Sequence, residues 1–226
     1  MCGRFTYLYR WRELYRLLNL TAAPPQLELT PSYNVAPTQQ VPVCRRSSSG
    51  EREIEAMTWG FVPGWAESGA KPLINTRCET AATSPVFRAA FARRRCAVPA
   101  SGFYEWKQAA GGKRPFYLQL LNDRLFFFAG IWERRPASAG AGDAFSILTT
   151  RPNELLATIH NRMPVILRRE HLDAWLSDDP PATGTFEPYP AEEMTATPVS
   201  PRVNSPRNND ASLIQPDHPP PSTLWG

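Results

Sequence analysis

The second residue of the chain is a cysteine, and its place matters more than its type. Aminopeptidases remove an initiator methionine when the next residue is small, so Met1 is expected to leave and Cys2 to become the mature terminus. Such a residue carries an α-amine and a thiol on adjacent carbons. Their ordinary pKa values, about 7.7–8.0 and about 8.5, keep both partly available near neutrality. An α-amine attacks an aldehyde to give an imine, and the neighbouring thiol then closes a thiazolidine ring. An internal Cys or Lys cannot do this. The other chemistry open to a terminal cysteine is acyl transfer, with its own amine as base. The plain alternative is that Cys2 merely starts the first strand. Beside it, Gly3 frees the backbone for close approach and Arg4 adds a cation.

Further along, four residue types could serve such chemistry. Asn75, in INTRCET, carries an amide that donates and accepts hydrogen bonds without titrating; in most sequences such an Asn is a turn or cap residue. Arg77 falls on the same face as Asn75 if the stretch is extended, and a guanidinium suits a phosphate. Its plain reading is a surface ion pair with Glu79. Glu105, in FYEWK, sits among aromatic residues that would raise its pKa and keep it available for proton transfer. Pattern alone favours an exposed strand Glu there. His160, in IHNRMP, is the one histidine of three that lies in a motif.

Composition bounds the partners. The chain has 226 residues, 42% hydrophobic and 20% charged, with net charge +4. That is ordinary for a globular protein able to bury a core without disulfides. The charge is unevenly spread. Up to residue 170 there are 23 basic and 13 acidic residues, and beyond it 2 and 8. A basic body points to a polyanion, nucleic acid first, against the plainer reading of a solvated surface. No apolar run is long enough for a membrane span and no signal-peptide core is visible. A cytoplasmic protein is expected, nucleoid-associated in a bacterium. Cys2, Cys44, Cys78 and Cys96 lack metal-type spacing and read as free thiols. No zinc or nucleotide motif appears, so neither a metal nor a cofactor is expected.

Strand signals outnumber helix signals. β-like segments fall at 41–46, 52–59, 95–100, 103–108, 115–121, 125–132 and 144–150. Residues 114–132 read as a hairpin turning at 121–124. Helices are predicted at about 10–19, 151–159 and 170–177, with a short one before Arg93-Arg94-Arg95. Strands do not alternate with helices. The predicted class is α+β, a single domain with a curved or barrel-like, mainly antiparallel sheet and peripheral helices. The domain should span 1–215, with a disordered Pro-rich tail at 216–226. YNVAPTQ (33–39) and WGFVPGW (59–65) look too rich in Pro and Gly for element interiors, with Trp59 and Phe61 read as core.

MCGRF (1–5), YNVAPTQ, WGFVPGW, INTRCET (74–80), SGFYEWK (101–107) and IHNRMPVIL (159–167) occur in that order. Together they resemble the SOS-response-associated peptidase (SRAP) family of abasic-site processing proteins, across nearly the whole chain. Thr76 stands where the family often has Ala. The resemblance implies a Cys2 that attacks the ring-opened sugar of an abasic site in single-stranded DNA and forms a thiazolidine crosslink. It implies a protein that shields the lesion during the DNA damage response, acting as a monomer. The family name reflects removal of Met1, and imine formation would also permit strand cleavage. The resemblance assigns Asn75, Glu105 and His160 to catalysis beside Cys2. It gives phosphate contacts to Arg4, Arg77 and Arg162, and makes Pro37 and Trp65 wedges beside the lesion. The rival readings are an N-terminal-nucleophile glutaminase, a non-covalent DNA reader and a true protease. A Gly-His-Thr-Arg-Trp type of segment, expected of the glutaminase, is not found.

Overall fold

A computed structural model describes residues 2–20, 30–67, 69–135, 142–181 and 185–217. Most predicted strands form with nearly the expected bounds. They are β3 (Gln40–Arg46), β4 (Arg52–Trp59), β6 (Arg95–Ala100), β7 (Gly102–Ala109), β8 (Gly112–Leu120), β9 (Phe126–Arg134) and β10 (Asp143–Thr150). Short strands complete the sheets: β1 (Arg4–Tyr7), β2 (Ser32–Val35), β5 (Asn75–Arg77), β11 (Met163–Pro164), β12 (Ile166–Leu167) and β13 (Met194–Pro198).

Five strands close on themselves. β4 pairs β3, β3 pairs β6, β6 pairs β9 and β9 pairs β10, all antiparallel, and β10 returns to β4 in parallel. A ring with an odd number of strands cannot alternate direction throughout, so one seam must be parallel. Closure leaves these strands few free edges. The second sheet is antiparallel, in the order β13-β8-β7-β1-β2. The α+β reading with a barrel-like, mainly antiparallel sheet therefore holds.

The hairpin expected over 114–132 does not form. β8 pairs β7 and β13, whereas β9 pairs β6, β10 and β12. Residues 121–124 carry the chain from one sheet to the other. Both edges of β9 are taken by the ring, so β8 has no edge there to join. The true hairpin is β7–β8, with Ala109 opposite Gly112. Within it, Gly102 is required by a close approach, since a Cβ there would lie 2.2 Å from the Tyr117 hydroxyl. YNV of YNVAPTQ also departs from expectation, because it lies within β2.

Burial explains the layers. Every residue of β6 and β10 is buried, because one face lines the ring and the other is covered. Between ring and second sheet pack Phe5, Trp59, Phe103, Phe128 and Phe145, each fully buried. Phe5 meets Trp59 edge-on at 5.1 Å. Trp59 and Phe61 are core, as expected. The opposite side is covered by α1 (Trp11–Leu18), α2 (Cys78–Ala81), α3 (Arg88–Arg93) and α5 (Leu172–Leu176). Leu14 and Leu18, four apart, supply the buried stripe of α1. The Arg10 backbone N–H donates to Glu13 at its start, and Asn19 ends it in a left-handed conformation. The helix expected at 151–159 shrinks to α4 (Glu154–Ala157), capped by Asn153, whose side chain accepts from the Leu156 N–H at 2.8 Å.

The Pro-rich C-terminal region packs despite its lack of long elements. β13 extends the second sheet, and two 3-10 turns, Pro201–Asn204 and Ala211–Ile214, bury Val203 and Leu213 against Tyr104 and Tyr117. Pro216 pairs with Val199. The rest of the expected tail, from residue 218, lies outside the described residues. No helix among the described residues is long and apolar enough to cross a membrane.

Candidate active site

Cys2 sits just before β1, which pairs with β2 on one side and β7 on the other within the second sheet. Its side chain is fully buried among the apolar groups between ring and sheet. The thiol makes a long contact, 3.7 Å, to the Arg4 carbonyl. Burial, and then the Glu105 carboxylate, push the thiol far above its usual range. The sulfur therefore rests as a neutral S–H and needs a base before it can attack.

Asn75 reaches this residue from the ring. β5 runs parallel to β10, with Asn75 opposite Ile147. The Trp59 indole N–H donates to the Ile74 carbonyl at 2.9 Å and fixes the approach to β5. Asn75 Nδ2 donates to the Cys2 carbonyl at 2.9 Å. Its Oδ1 is buried and has no hydrogen-bond partner among the described residues. A buried carbonyl oxygen left unsatisfied carries a cost that an added donor would remove.

Glu105 lies on β7, paired with Phe116 and 1% exposed. Burial pushes its carboxyl up to about 7. A group titrating there can take and return a proton near neutrality. The exposed-strand alternative is thus excluded. Glu105, Trp106, Lys113, His160 and Asn204 line one cavity of about 350 Å³. Burial lowers the His160 pKa, which favours the neutral ring at neutral pH. The Arg162 backbone N–H donates to His160 Nδ1 at 3.1 Å. The Arg162 carbonyl lies 3.3 Å from the same nitrogen, so Nδ1 accepts from the N–H in one tautomer and donates to the carbonyl in the other.

The three expected phosphate cations differ sharply. Arg4 donates to Asn34 Oδ1 at 2.8 Å and to the carbonyls of Val203 and Asn204 at 2.7 and 3.0 Å. It ties β1 to the C-terminal turns. Arg162 forms a two-pronged pair with Glu79, at 2.6 and 2.8 Å, and also donates to the Thr149 carbonyl. This pair draws the Glu79 carboxyl down to about 2. Glu79 thus partners Arg162 rather than Arg77. Arg77 is exposed, with no ion pair among the described residues. Of the expected wedges, Trp65 is 72% exposed. Pro37 occupies a turn from Ala36 to Gln39 in which Thr38 takes φ 75. Neither lines the cavity that Glu105 and His160 share.

Sequence reasoning missed four residues here. Trp106, one of the aromatic residues flanking Glu105, donates its indole N–H to Asn204 Oδ1 at 2.8 Å. Lys113 and Asn204 lie outside any motif considered. Asn34 is 1% exposed and donates to the carbonyls of Val203, Ser205 and Asn208. An Asn between Tyr33 and Val35 inside a strand was the available signal.

A closed ring and a second antiparallel sheet thus bring Cys2 and Asn75 together, with Glu105 close enough to act on the Cys2 thiol. Residues 1–206 match the family described as SOS response associated peptidase (SRAP), and the chain belongs to that family. It is 39% identical over 223 residues to the abasic site processing protein YoqW of Bacillus subtilis, covering 95% of this chain and 99% of that one. Against the abasic site processing protein YedK of Escherichia coli it is 31% identical, covering 96% and 100%. A solved Bordetella bronchiseptica protein superposes with TM-score 0.74 at 27% identity, covering 88% of this chain and 100% of that one. A Bacteroides thetaiotaomicron protein gives 0.72 at 28% identity, covering 82% and 85%.

Proposed function

We propose that the protein recognises abasic sites in single-stranded DNA and captures them covalently through Cys2. The relatives named as abasic site processing proteins support the lesion, and the buried Cys2–Glu105 pairing supports the chemistry. Hydrolysis of the Met1–Cys2 peptide bond, by the protein itself or by an aminopeptidase, first frees the α-amine. That amine attacks the C1′ aldehyde of the ring-opened sugar, and water leaves to give an imine. The Cys2 sulfur adds to the imine carbon, its proton passes to nitrogen, and the thiazolidine closes. At the imine stage the neighbouring phosphate is open to β-elimination, and ring closure ends that exposure.

The side chains divide the proton work. Glu105, with a pKa near 7, takes a proton from the attacking group and returns it to the departing hydroxyl. His160, which lines the cavity with Glu105, is suited to protonate the sugar oxygen during ring opening. Asn75 holds the Cys2 carbonyl and offers its open Oδ1 to the amine or a sugar hydroxyl. Arg77 takes a phosphate, and the exposed Trp65 stacks beside the gap as a single strand requires. The protein acts as a monomer inside the cell.

The observation that carries this reading is the burial of Cys2 next to a carboxyl titrating near neutrality. Its test is denaturing electrophoresis of the mature protein with single-stranded DNA bearing one abasic site. A shifted band is expected with native Cys2 and the lesion, and not with intact DNA or Cys2→Ala. A band that persists with Cys2→Ala, or none with Met1 verified absent, would overturn it.

A further inference from the structure

The small cavity at Glu105 is not the largest concavity of the molecule. A cleft of about 680 Å³ opens elsewhere, where five arginines converge from different elements. Arg45 and Arg46 end β3, Arg93 ends α3, Arg95 starts β6 and Arg134 ends β9. Nothing in the proposed lesion chemistry uses them.

These arginines fall into two groups. Arg45 and Arg95 build the wall. Arg45 pairs with Glu53 at 2.9 Å and Glu55 at 2.6 Å, and lies 4.4 Å over the Trp132 ring. Arg95 is buried, donates to the carbonyls of Ser177 and Asp179, and lies over Trp175. The other three face outward. Arg134 has 79% of its side chain exposed, and its carboxylate neighbour Asp143, 3.5 Å away, also serves Arg45. Arg93 is exposed, with no ion pair among the described residues. Arg46 is 39% exposed and reaches Asp173 only at 3.9 Å. The acidic lining is Glu53, Glu55 and Asp178, and the first two are already matched by Arg45. A surplus of forked donors remains in a walled groove, which suits phosphate oxygens.

The cleft also adjoins the loop already assigned to DNA. The Arg134 carbonyl lies 4.0 Å from where a Cβ on Gly64 would stand, and the next residue is the exposed Trp65. We infer that the cleft is a second DNA contact, an arginine track that holds the phosphodiester backbone of the same strand beyond the lesion. This rests on the proposed lesion capture, and it gives a role to part of the Arg93-Arg94-Arg95 run. Arg94 is spent on Glu133, and Arg95 is structural.

The test compares the mature wild type with Arg93→Ala/Arg134→Ala, both exposed positions, and with Arg93→Glu/Arg134→Glu. Affinity is read by fluorescence anisotropy at several salt concentrations. The probes are abasic oligonucleotides with flanks of about three or about twenty nucleotides, and the matching intact strands. The alanine pair should lose about tenfold affinity for the long probe and about two units of salt slope, and the glutamate pair more. Both should bind and crosslink the short probe as the wild type does. Equal losses on both probes, or an unchanged slope, would overturn the track. So would inorganic pyrophosphate binding that needs Arg93 and Arg134 while long-probe affinity stays unchanged, which would mark a small-phosphate site. Absence of crosslinking on every probe would defeat the lesion-capture reading alone, because the intact long strand still reports on the cleft.

Discussion

Cys2 and Cys96 are both fully buried thiols, and burial pushes both far up from their ordinary range. Their surroundings differ. Cys96 lies on β6 inside the ring, so close to β9 that a Cβ on Gly130 would come within 2.9 Å of its sulfur. Its carbonyl accepts from the Trp175 indole at 2.8 Å. Cys2 lies where the ring meets the second sheet, beside a buried carboxyl and an Asn whose Oδ1 is unsatisfied. Burial alone makes a thiol inert. A reactive one needs a neighbour that can take its proton: Cys2 has Glu105, whereas the groups acting on Cys96 are Cys44 and Arg45.

The largest expected effect separates the two cysteines. Cys2→Ala should abolish the denaturation-resistant complex. Cys96→Ala should leave crosslinking intact and lower stability by about 1 kcal/mol, read by denaturant titration. Crosslinking that depends on Cys96 would show that the Glu105 neighbour does not set Cys2 apart.

Next comes the carboxyl. Glu105→Gln should slow crosslinking by about a hundredfold while binding changes little, and should remove a rate inflection near pH 7. The same substitution has a stability sign. The folded pKa stands above its ordinary 4.5, so between 4.5 and about 7 the folded chain holds a proton the unfolded chain has lost. Wild-type stability should fall as pH rises across that window, by on the order of 3 kcal/mol, and the Gln variant should escape the fall. Melting temperatures at pH 5 and pH 8 would show it, and parallel profiles would contradict it.

Smaller effects sharpen the account of the cations. Arg77→Ala should reduce the salt slope of DNA binding by about one unit. Arg162→Ala should act differently, because its guanidinium is already paired. It should release Glu79 toward ordinary carboxylate titration, visible by NMR, with a stability loss below about 1 kcal/mol for this half-exposed pair. The Glu79 contribution is present above the ordinary pKa and lost as pH falls toward 2. The smallest change is local. Thr38 is β-branched with φ 75, so Thr38→Gly should gain about 0.5–1 kcal/mol, measured by denaturant titration.

Much of the fold was legible because strand signals are local. β4 and β6 occupy the predicted residues, since β-branched and apolar side chains there meet clear turns such as Ser47–Gly50. Pairing was less legible. The 121–124 turn carried hairpin chemistry, and only the ring's closure shows why β9 cannot take β8. β13 was missed because MTATP is short and ends in proline. At the site, the motifs named Cys2, Asn75, Glu105 and His160, and three of these are linked by the Cys2 contacts while His160 shares the cavity with Glu105. Asn204 lies outside every motif, and Asn34 shows only as an Asn inside a strand, because the partners of both lie far off in sequence. The intramolecular partners of Arg4 and Arg162 were equally hidden, because a cation motif does not reveal which acceptors the fold places beside it.

The most direct measurement is the intact mass of the mature protein after mixing with an abasic oligonucleotide, denatured without any reductant. Covalent capture by Cys2 gives a species equal to the sum of both partners less one water, stable without reduction because the thiazolidine has closed. Two unchanged masses, or an adduct that appears only after borohydride trapping, would contradict ring closure by the Cys2 thiol.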